Sequence, residues 1–173
     1  MPQFSYKSYC WAVGTTSFRT VDFNVQIERQ LKLLTDFWSN PNFSNQEWHS
    51  NNTLQADYYE FMKENKFVSG SANRPDKDAR EKTSSLHAIG LLDNERRLTQ
   101  AGKTLLEISE NANFNKNNLL QISNDSFIYL KQLLKTHIDV DGDIVRPFIV
   151  TLYALLELEY ISNDEFTYLI PLV

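Results

Sequence analysis

The spacing of apolar residues in the first third of the chain predicts two amphipathic helices. The first covers residues 21–38, with Asp22 or Asn24 available as its N-cap. Its inward positions are Val25, Ile27, Leu31, Leu34 and Trp38. The second fits residues 52–64, with inward Leu54, Tyr58, Phe61 and Met62. A turn-rich segment that contains Asn40 and Pro41 separates them, so we expect two helices joined by a loop.

The centre of the chain predicts a third helix, a short hairpin and a fourth helix. Proline suits the first turn of a helix and glycine its end, so the third helix runs from Pro75 to a stop at Gly90. Short extended pieces then flank a polar turn: Leu91-Leu92, Asp93-Asn94-Glu95 and Arg97-Leu98. Thr99 caps a fourth helix that buries Ala101, Leu105, Leu106 and Ile108. This order is typical of a winged-helix unit, and a helical hairpin with a coincidental loop is the alternative.

The last third predicts three further helices. After a polar, Asn-rich linker, a helix covers residues 125–136, followed by a loop or small hairpin that turns at Asp141-Gly142. Residues 147–161 are strongly apolar and should form a buried helix of about 12 residues. Ser162 and Glu165 match a capping box that opens a final helix. Because the chain ends on an apolar face, we expect a fragment of a longer protein.

These elements predict a mainly α fold of winged-helix or helix-turn-helix-like subdomains with one short β-hairpin wing. We expect a winged-helix subdomain over residues 1–112. A second helical, helix-turn-helix-like subdomain over residues 113–173 would be truncated.

Composition narrows the class of protein. The chain has 173 residues, 42% of them hydrophobic, which is enough to build a core. No apolar run reaches the ~18 residues of a membrane span, and the first residues lack the plan of a signal peptide. One cysteine and three histidines cannot supply an internal disulfide or a standard zinc site. We therefore expect a soluble, cytoplasmic protein without a standard zinc site.

Charge is uneven along the chain. The net charge is −5, yet residues 63–103 hold 9 basic and 6 acidic side chains, and residues 136–173 hold 1 and 7. Only a contact surface must be positive to bind a polyanion, so the acidic average does not exclude nucleic acid.

No complete catalytic site is visible. The acid and E-x-K pattern of a metal-dependent nuclease occurs as Asp57 and residues 64–66, but these positions fall on a predicted helix and not on strands. The alternating Asp139, Asp141 and Asp143 lack the later ligands of a calcium loop. We predict no catalytic residue, no metal ligand and no cofactor in this chain.

Basic side chains of the third helix and the wing are the candidate binding residues. They are Arg74, Lys77, Arg80, Lys82, Arg96, Arg97 and Lys103, with Ser84 beside them. Lys77, Arg80 and Ser84 share a helix face, and Arg96 and Arg97 alternate so that one should face outward. Such side chains suit phosphates and base edges in a major groove. Acidic residues are interleaved with these cations. They are equally consistent with an amphipathic helix whose paired charges only face solvent.

Four segments together resemble the N-terminal region of the AlwI-type restriction endonucleases. They are W-A-V-G-T-T-S-F-R at residues 11–19, I-E-R-Q-L-K-L-L-T-D-F-W at 27–38, L-Q-A-D-Y-Y-E-F-M-K-E-N at 54–65, and residues 79–106 with L-T-Q-A-G-K. L-T-x-A-G-K recurs in many winged helices, so the order and spacing of the segments carry the resemblance.

The resemblance implies sequence-specific recognition of double-stranded DNA by the targeting part of a type IIS-like enzyme. It implies a C-terminal nuclease domain that uses Mg²⁺ and would follow this chain, and a cognate methyltransferase in the same system. It points to Arg19, Arg80, Lys82 and the wing arginines as DNA contacts. The acidic final segment departs from this pattern and should either pack on the next domain or face away from DNA.

Two other functions stay open. A winged-helix transcriptional regulator would also bind DNA, normally as a dimer on a palindrome. A helical protein-interaction module would bind no DNA at all.

Overall fold

The computed structural model describes residues 22–140 and 142–168, and these form a mainly helical chain with one small antiparallel hairpin. The helices are α1 Phe23–Ser39, α2 Asn52–Glu64, α3 Pro75–Ala88, α4 Gln100–Glu110, α5 Asn124–Lys135, α6 Pro147–Leu158 and α7 Asn163–Tyr168. The strands are β1 Ile138–Val140 and β2 Asp143–Val145, paired with Asp139 opposite Ile144. The predicted mainly α fold class with one short β-hairpin is therefore confirmed.

Residues 22–129 belong to one compact unit, and residues 130–140 and 142–168 belong to a second. The predicted subdomain boundary near residue 112 stays a prediction.

The core of the first unit is a cluster of aromatic side chains from α1, the loop after it and α2. Phe37 is fully buried, with ring centroids 4.4 Å from Phe43 and 5.0 Å from Tyr58. Trp48, from the loop after α1, lies edge-on to Tyr58 at 5.7 Å. Around this cluster α2 packs along α3, and α4 packs against α1. The inward face predicted for the first helix is right except at Val25, which is 59% exposed.

The predicted wing forms as a tight turn and not as two strands. Leu92 and Leu98 make a single β-bridge, closed by a bond from the Asp93 N–H to the Arg97 carbonyl (2.9 Å). The two-stranded hairpin lies instead at β1–β2, where the sequence is compatible with either a loop or a small hairpin. The one short hairpin of the fold is thus in the second unit, and the wing is reduced to a turn.

Two helix starts follow the predicted capping residues, whereas Asp22 stands at the N-cap of α1 without a side-chain capping hydrogen bond. The Thr99 hydroxyl accepts from the Gly102 N–H (3.3 Å) at the start of α4. Ser162 and Glu165 form the reciprocal capping box at α7: the Glu165 N–H donates to the Ser162 hydroxyl (3.2 Å), and the Ser162 N–H donates to the Glu165 carboxylate (2.8 Å). Local polar residues therefore set these two helix starts.

The prediction that α6 is buried is wrong. Leu152, Tyr153 and Leu156 are 45%, 64% and 80% exposed, and Pro147 is the buried residue of this helix. An apolar run shows that a segment can be buried, but burial needs a neighbouring surface, which the run itself does not specify.

Candidate nucleic-acid interface

Helix α3 begins at Pro75, whose fixed φ suits the first turn, and Asp76 and Asp78 follow where the helix dipole favours acids. Ala79, Thr83 and Leu86 are buried on the side that packs along α2. The Thr83 hydroxyl donates back to the Ala79 carbonyl (2.9 Å), so this polar side chain is satisfied inside the helix. The remaining sides of α3 hold four of the predicted binding residues, Lys77, Arg80, Lys82 and Ser84.

Two of the predicted cations are joined through one carboxylate at the start of α3. Asp76 lies 2.9 Å from Arg74 and 3.1 Å from Arg80, measured from carboxylate oxygen to guanidinium nitrogen. The hydrogen bond from Arg74 is the main reason that the pKa of Asp76 is lowered to about 2. Asp76 is therefore ionised near neutral pH and offsets part of the positive charge there.

Arg80 also connects α3 to α2. Its guanidinium donates to the Asn52 side-chain oxygen (3.2 Å) and to the side-chain oxygen of Gln55. Gln55 is only 2% exposed, and its amide donates to the Trp48 carbonyl (2.8 Å). A guanidinium with three protein acceptors is held in place, so Arg80 orients two helices whatever else it contacts.

The predicted face of Lys77, Arg80 and Ser84 is occupied by contacts within the chain. Lys77 pairs with Glu81 (3.5 Å), and the Ser84 hydroxyl donates to the Glu81 carbonyl (2.9 Å). Both contacts are on the surface and cost little to break. Lys82 is exposed and forms no ion pair with another described residue, so its ammonium is available to a partner.

The turn that replaces the wing is fastened to the region after α1. The indole N–H of Trp38 donates to the Arg96 carbonyl (3.1 Å), and the Glu95 carboxylate accepts from the Trp48 backbone N–H. Arg96 has φ +57°, which is unusual for a residue other than glycine. Half-burial of its side chain lowers the pKa of Arg96. Arg96 is thus part of the local fold.

Arg97 is also held by its own chain. Its guanidinium carbon lies 4.1 Å from the centre of the Trp38 ring, within the range of a cation–π contact. The same group donates to the carbonyls of Ser44 (2.7 Å) and Gln46 (3.3 Å). Alternation had predicted that one of the two wing arginines faces outward, but the described contacts hold both against the protein.

We expect Arg97→Lys to lower the free energy of unfolding by about 1–2 kcal/mol, because lysine keeps the charge but loses the planar stack and the paired donors. Urea unfolding followed by circular dichroism measures the loss. Lys103→Gln, at an exposed position of α4, serves as the control and should stay within about 0.5 kcal/mol. Equal stability of Arg97→Lys and the parent chain would mean that the contacts with Trp38 and the loop carry no net energy.

Lys103 is one of the residues that line a groove of about 400 Å³ between α1 and α4. Trp38 and Arg97 line this groove together with Glu107 and Glu110. The mixed charge does not favour a polyanion inside it, so Lys103 is a candidate for a contact at its edge only. Arg19 lies outside the described residues.

Sequence reasoning missed the partners that fix the arginines. Gln55 is a polar residue on the inward side of α2, and Trp38 ends the apolar face of α1. A polar residue at an inward helix position is the signal that could have indicated Gln55, because a buried amide needs partners.

Comparison with known families places the chain in a class. A family model described as AlwI restriction endonuclease matches residues 87–173, which is half of the chain. The chain belongs to the AlwI restriction endonuclease family, whose role as a type II restriction enzyme implies DNA as the partner. No curated protein and no solved structure gives a significant match. The match begins at His87, so Arg19 and the predicted residues from Arg74 to Ser84 lie outside it.

The resemblance found in the sequence implies Mg²⁺ for cleavage, and the described residues do not fit that role. No group of three or more histidine, cysteine, aspartate or glutamate side chains in residues 22–140 and 142–168 is arranged to hold a metal ion. The acidic pair considered from the sequence, Asp57 and Glu64, lies on one helix, α2. We therefore derive no step of hydrolysis from these residues.

Among the same residues, no helix has the length and apolar character needed to cross a membrane.

Proposed function

We propose that this chain recognises double-stranded DNA by sequence, as the targeting part of a type II restriction endonuclease. Membership of the AlwI restriction endonuclease family carries the proposal. The basic surface residues of α3 support it, because a helix of this length fits a major groove and cations there can neutralise phosphates. Following the resemblance, we assign Mg²⁺-dependent cleavage to a nuclease domain of the same enzyme.

The described contacts divide the predicted DNA-binding residues into two groups. Arg80, Arg96 and Arg97 are partly buried and donate to acceptors in their own chain, so we assign them to positioning of α3 and the turn after it. Contact with DNA is assigned to the residues whose charged ends lie in solvent: Arg74, Lys77, Lys82 and Lys103. Arg19 stays a candidate from the resemblance alone.

The surface pairs of the contact group suit exchange for phosphate. The Lys77–Glu81 pair is 3.5 Å apart, and both of its side chains are more than half exposed. An exposed pair of this kind is worth at most about 1 kcal/mol, and contact with phosphates also releases condensed counterions. DNA can therefore replace Glu81 as the partner of Lys77 at little cost.

Selection from a pool of random duplexes at low salt, with sequencing of the bound fraction, tests the proposal. Enrichment of one short non-palindromic site is expected. Enrichment of a palindrome would favour a dimeric regulator instead. No binding by the folded chain would contradict the proposal and favour the protein-interaction module.

The double variant Lys77→Gln and Lys82→Gln should bind the selected duplex more weakly at every salt concentration. Each phosphate contact that is lost should reduce the slope of log affinity against log salt by about 0.9. Fluorescence anisotropy at several salt concentrations measures this slope. Lys116→Gln, an exposed lysine in the segment between α4 and α5, is the matched control and should leave the slope unchanged. An unchanged slope in the double variant would remove this surface of α3 from the interface.

A further inference from the structure

Four oxygen-bearing side chains meet in the first unit at a place that the DNA-binding proposal does not use. Glu28 comes from α1, Ser109 from α4, and Asp125 and Tyr129 from successive turns of α5. The Ser109 hydroxyl donates to the Glu28 carboxylate (2.7 Å). The charges of Glu28 and Asp125 act on each other and on the Tyr129 hydroxyl. We call this group the α1–α5 cluster.

Two polar atoms of the α1–α5 cluster are buried without a partner. Asp125 and Tyr129 are each 7% exposed, and neither the Oδ1 of Asp125 nor the hydroxyl of Tyr129 has a hydrogen-bond partner among the described residues. A buried polar group without a partner costs about 1–3 kcal/mol, and more when it is charged. Two such atoms beside a second carboxylate indicate that something else completes the cluster.

The charge of the α1–α5 cluster is also unbalanced. The described hydrogen-bond partner of the Glu28 carboxylate is the Ser109 hydroxyl, a neutral group that leaves the carboxylate charge uncompensated. The nearby cations of α1 are engaged elsewhere in the described structure: Arg29 donates to the Asn65 carbonyl (2.8 Å), and Lys32 pairs with Glu110 (3.0 Å). No described salt bridge reaches Glu28 or Asp125.

We propose that Glu28 and Asp125 bind one hard divalent cation, of the class of Mg²⁺, Mn²⁺ and Ca²⁺, between α1 and α5. Carboxylate oxygens are the ligands that these ions prefer, and Mg²⁺ is commonly held by one or two carboxylates with water in its other positions. Ser109 orients the Glu28 carboxylate, and the neutral Tyr129 hydroxyl serves as a ligand or as a donor to the second carboxylate. A water molecule alone would satisfy the hydrogen bonds but leave two negative charges together.

This ion is structural. It ties α5 to α1 and takes no part in cleavage, so the proposal stands or falls independently of DNA binding.

Titration of the full chain with Mn²⁺, followed by the electron paramagnetic resonance signal of free Mn²⁺, tests the site. One bound ion that Mg²⁺ or Ca²⁺ displaces is expected. Asp125→Asn and Glu28→Gln should each weaken Mn²⁺ binding by about tenfold or more, the range seen when even an outer partner of a metal ligand is lost. Glu110→Gln is the control, because that carboxylate is half exposed and pairs with Lys32. It should bind Mn²⁺ as the parent chain does.

The effect of Mn²⁺ on the melting temperature is a second measurement. If Asp125 only packed against its neighbours, Mn²⁺ would not change the order of stability of the parent chain and the variant. In a chelator, Asp125→Asn should be at least as stable as the parent chain, since the substitution removes a repulsion. With saturating Mn²⁺ the order should reverse, because the parent chain alone gains the stability of binding. If Asp125→Asn does not fold, Glu28→Gln is measured in the same way. The proposal is overturned if the folded parent chain binds no Mn²⁺ at millimolar concentration, or if both amide variants bind it unchanged.

Discussion

Phe37→Ala is expected to lower the free energy of unfolding by about 4 kcal/mol, because removal of a large buried ring leaves a cavity. Phe37 is fully buried, and its ring meets those of Trp38, Phe43, Tyr58 and Phe61 at centroid distances of 5.4, 4.4, 5.0 and 5.7 Å. These partners come from α1, the loop after it and α2, so one substitution loosens three segments. Urea unfolding followed by circular dichroism at 222 nm measures the loss.

Val25→Ala is the matched control for Phe37→Ala. Val25 lies on the same helix but is 59% exposed, so its truncation should change the stability by less than about 0.5 kcal/mol. A loss below about 1 kcal/mol for Phe37→Ala would contradict the assignment of the aromatic cluster as the core of this unit.

The helices could be predicted because their signals are local. The apolar spacing of α1 and α2, the proline that starts α3 and the capping box at Ser162 and Glu165 all act within a few residues of each other. Such patterns specify a helix wherever the chain lies in the fold.

Of the predicted wing, the turn is right and the two strands are wrong. Its sequence supplies the polar residues that bend the chain, but Trp38 and Trp48, far earlier in the sequence, bond to Arg96 and Glu95. Those contacts replace the cross-strand pairing that a longer hairpin would need. Tertiary contacts of this kind override local β preference.

The candidate binding residues show the same limit. Composition and spacing could identify the basic residues, but not which of them are engaged by the protein. Arg80 meets Asn52 and Gln55 from α2, and Arg97 meets Trp38 and the loop that follows it. Unless the packing of α1 and α2 is known, the sequence does not distinguish these arginines from Lys82, which forms no ion pair with another described residue.

The burial predicted for α6 and for Val25 is wrong for a related reason. An apolar side chain favours burial by about 25 cal/mol per Å² of surface covered, but the pattern does not say which surface covers it. The spacing of apolar residues therefore predicts that a helix forms better than it predicts which element packs against the apolar face of that helix.

Gly102→Ala is expected to lower the free energy of unfolding by about 2–3 kcal/mol, although alanine is the better helix former by about 1 kcal/mol. A Cβ at position 102 would lie 2.3 Å from the Leu91 carbonyl oxygen and 3.3 Å from its carbon. That carbonyl also accepts from the Thr99 N–H (3.0 Å) and the Thr99 hydroxyl (3.1 Å), and Leu91 itself is fully buried. The backbone at Leu91 therefore cannot move away without breaking the start of α4.

Thermal and urea unfolding of Gly102→Ala, compared with Gln100→Ala, separate close packing from helix propensity. Gln100 is exposed in the same first turn, so its substitution should be neutral or slightly stabilising. Equal or greater stability of Gly102→Ala would mean that α4 can shift away from Leu91. In L-T-x-A-G-K, threonine would then act as a cap while glycine would have no packing role. The expected loss instead assigns both residues to one junction, where the turn after α3 enters α4 and the backbones approach too closely for any side chain.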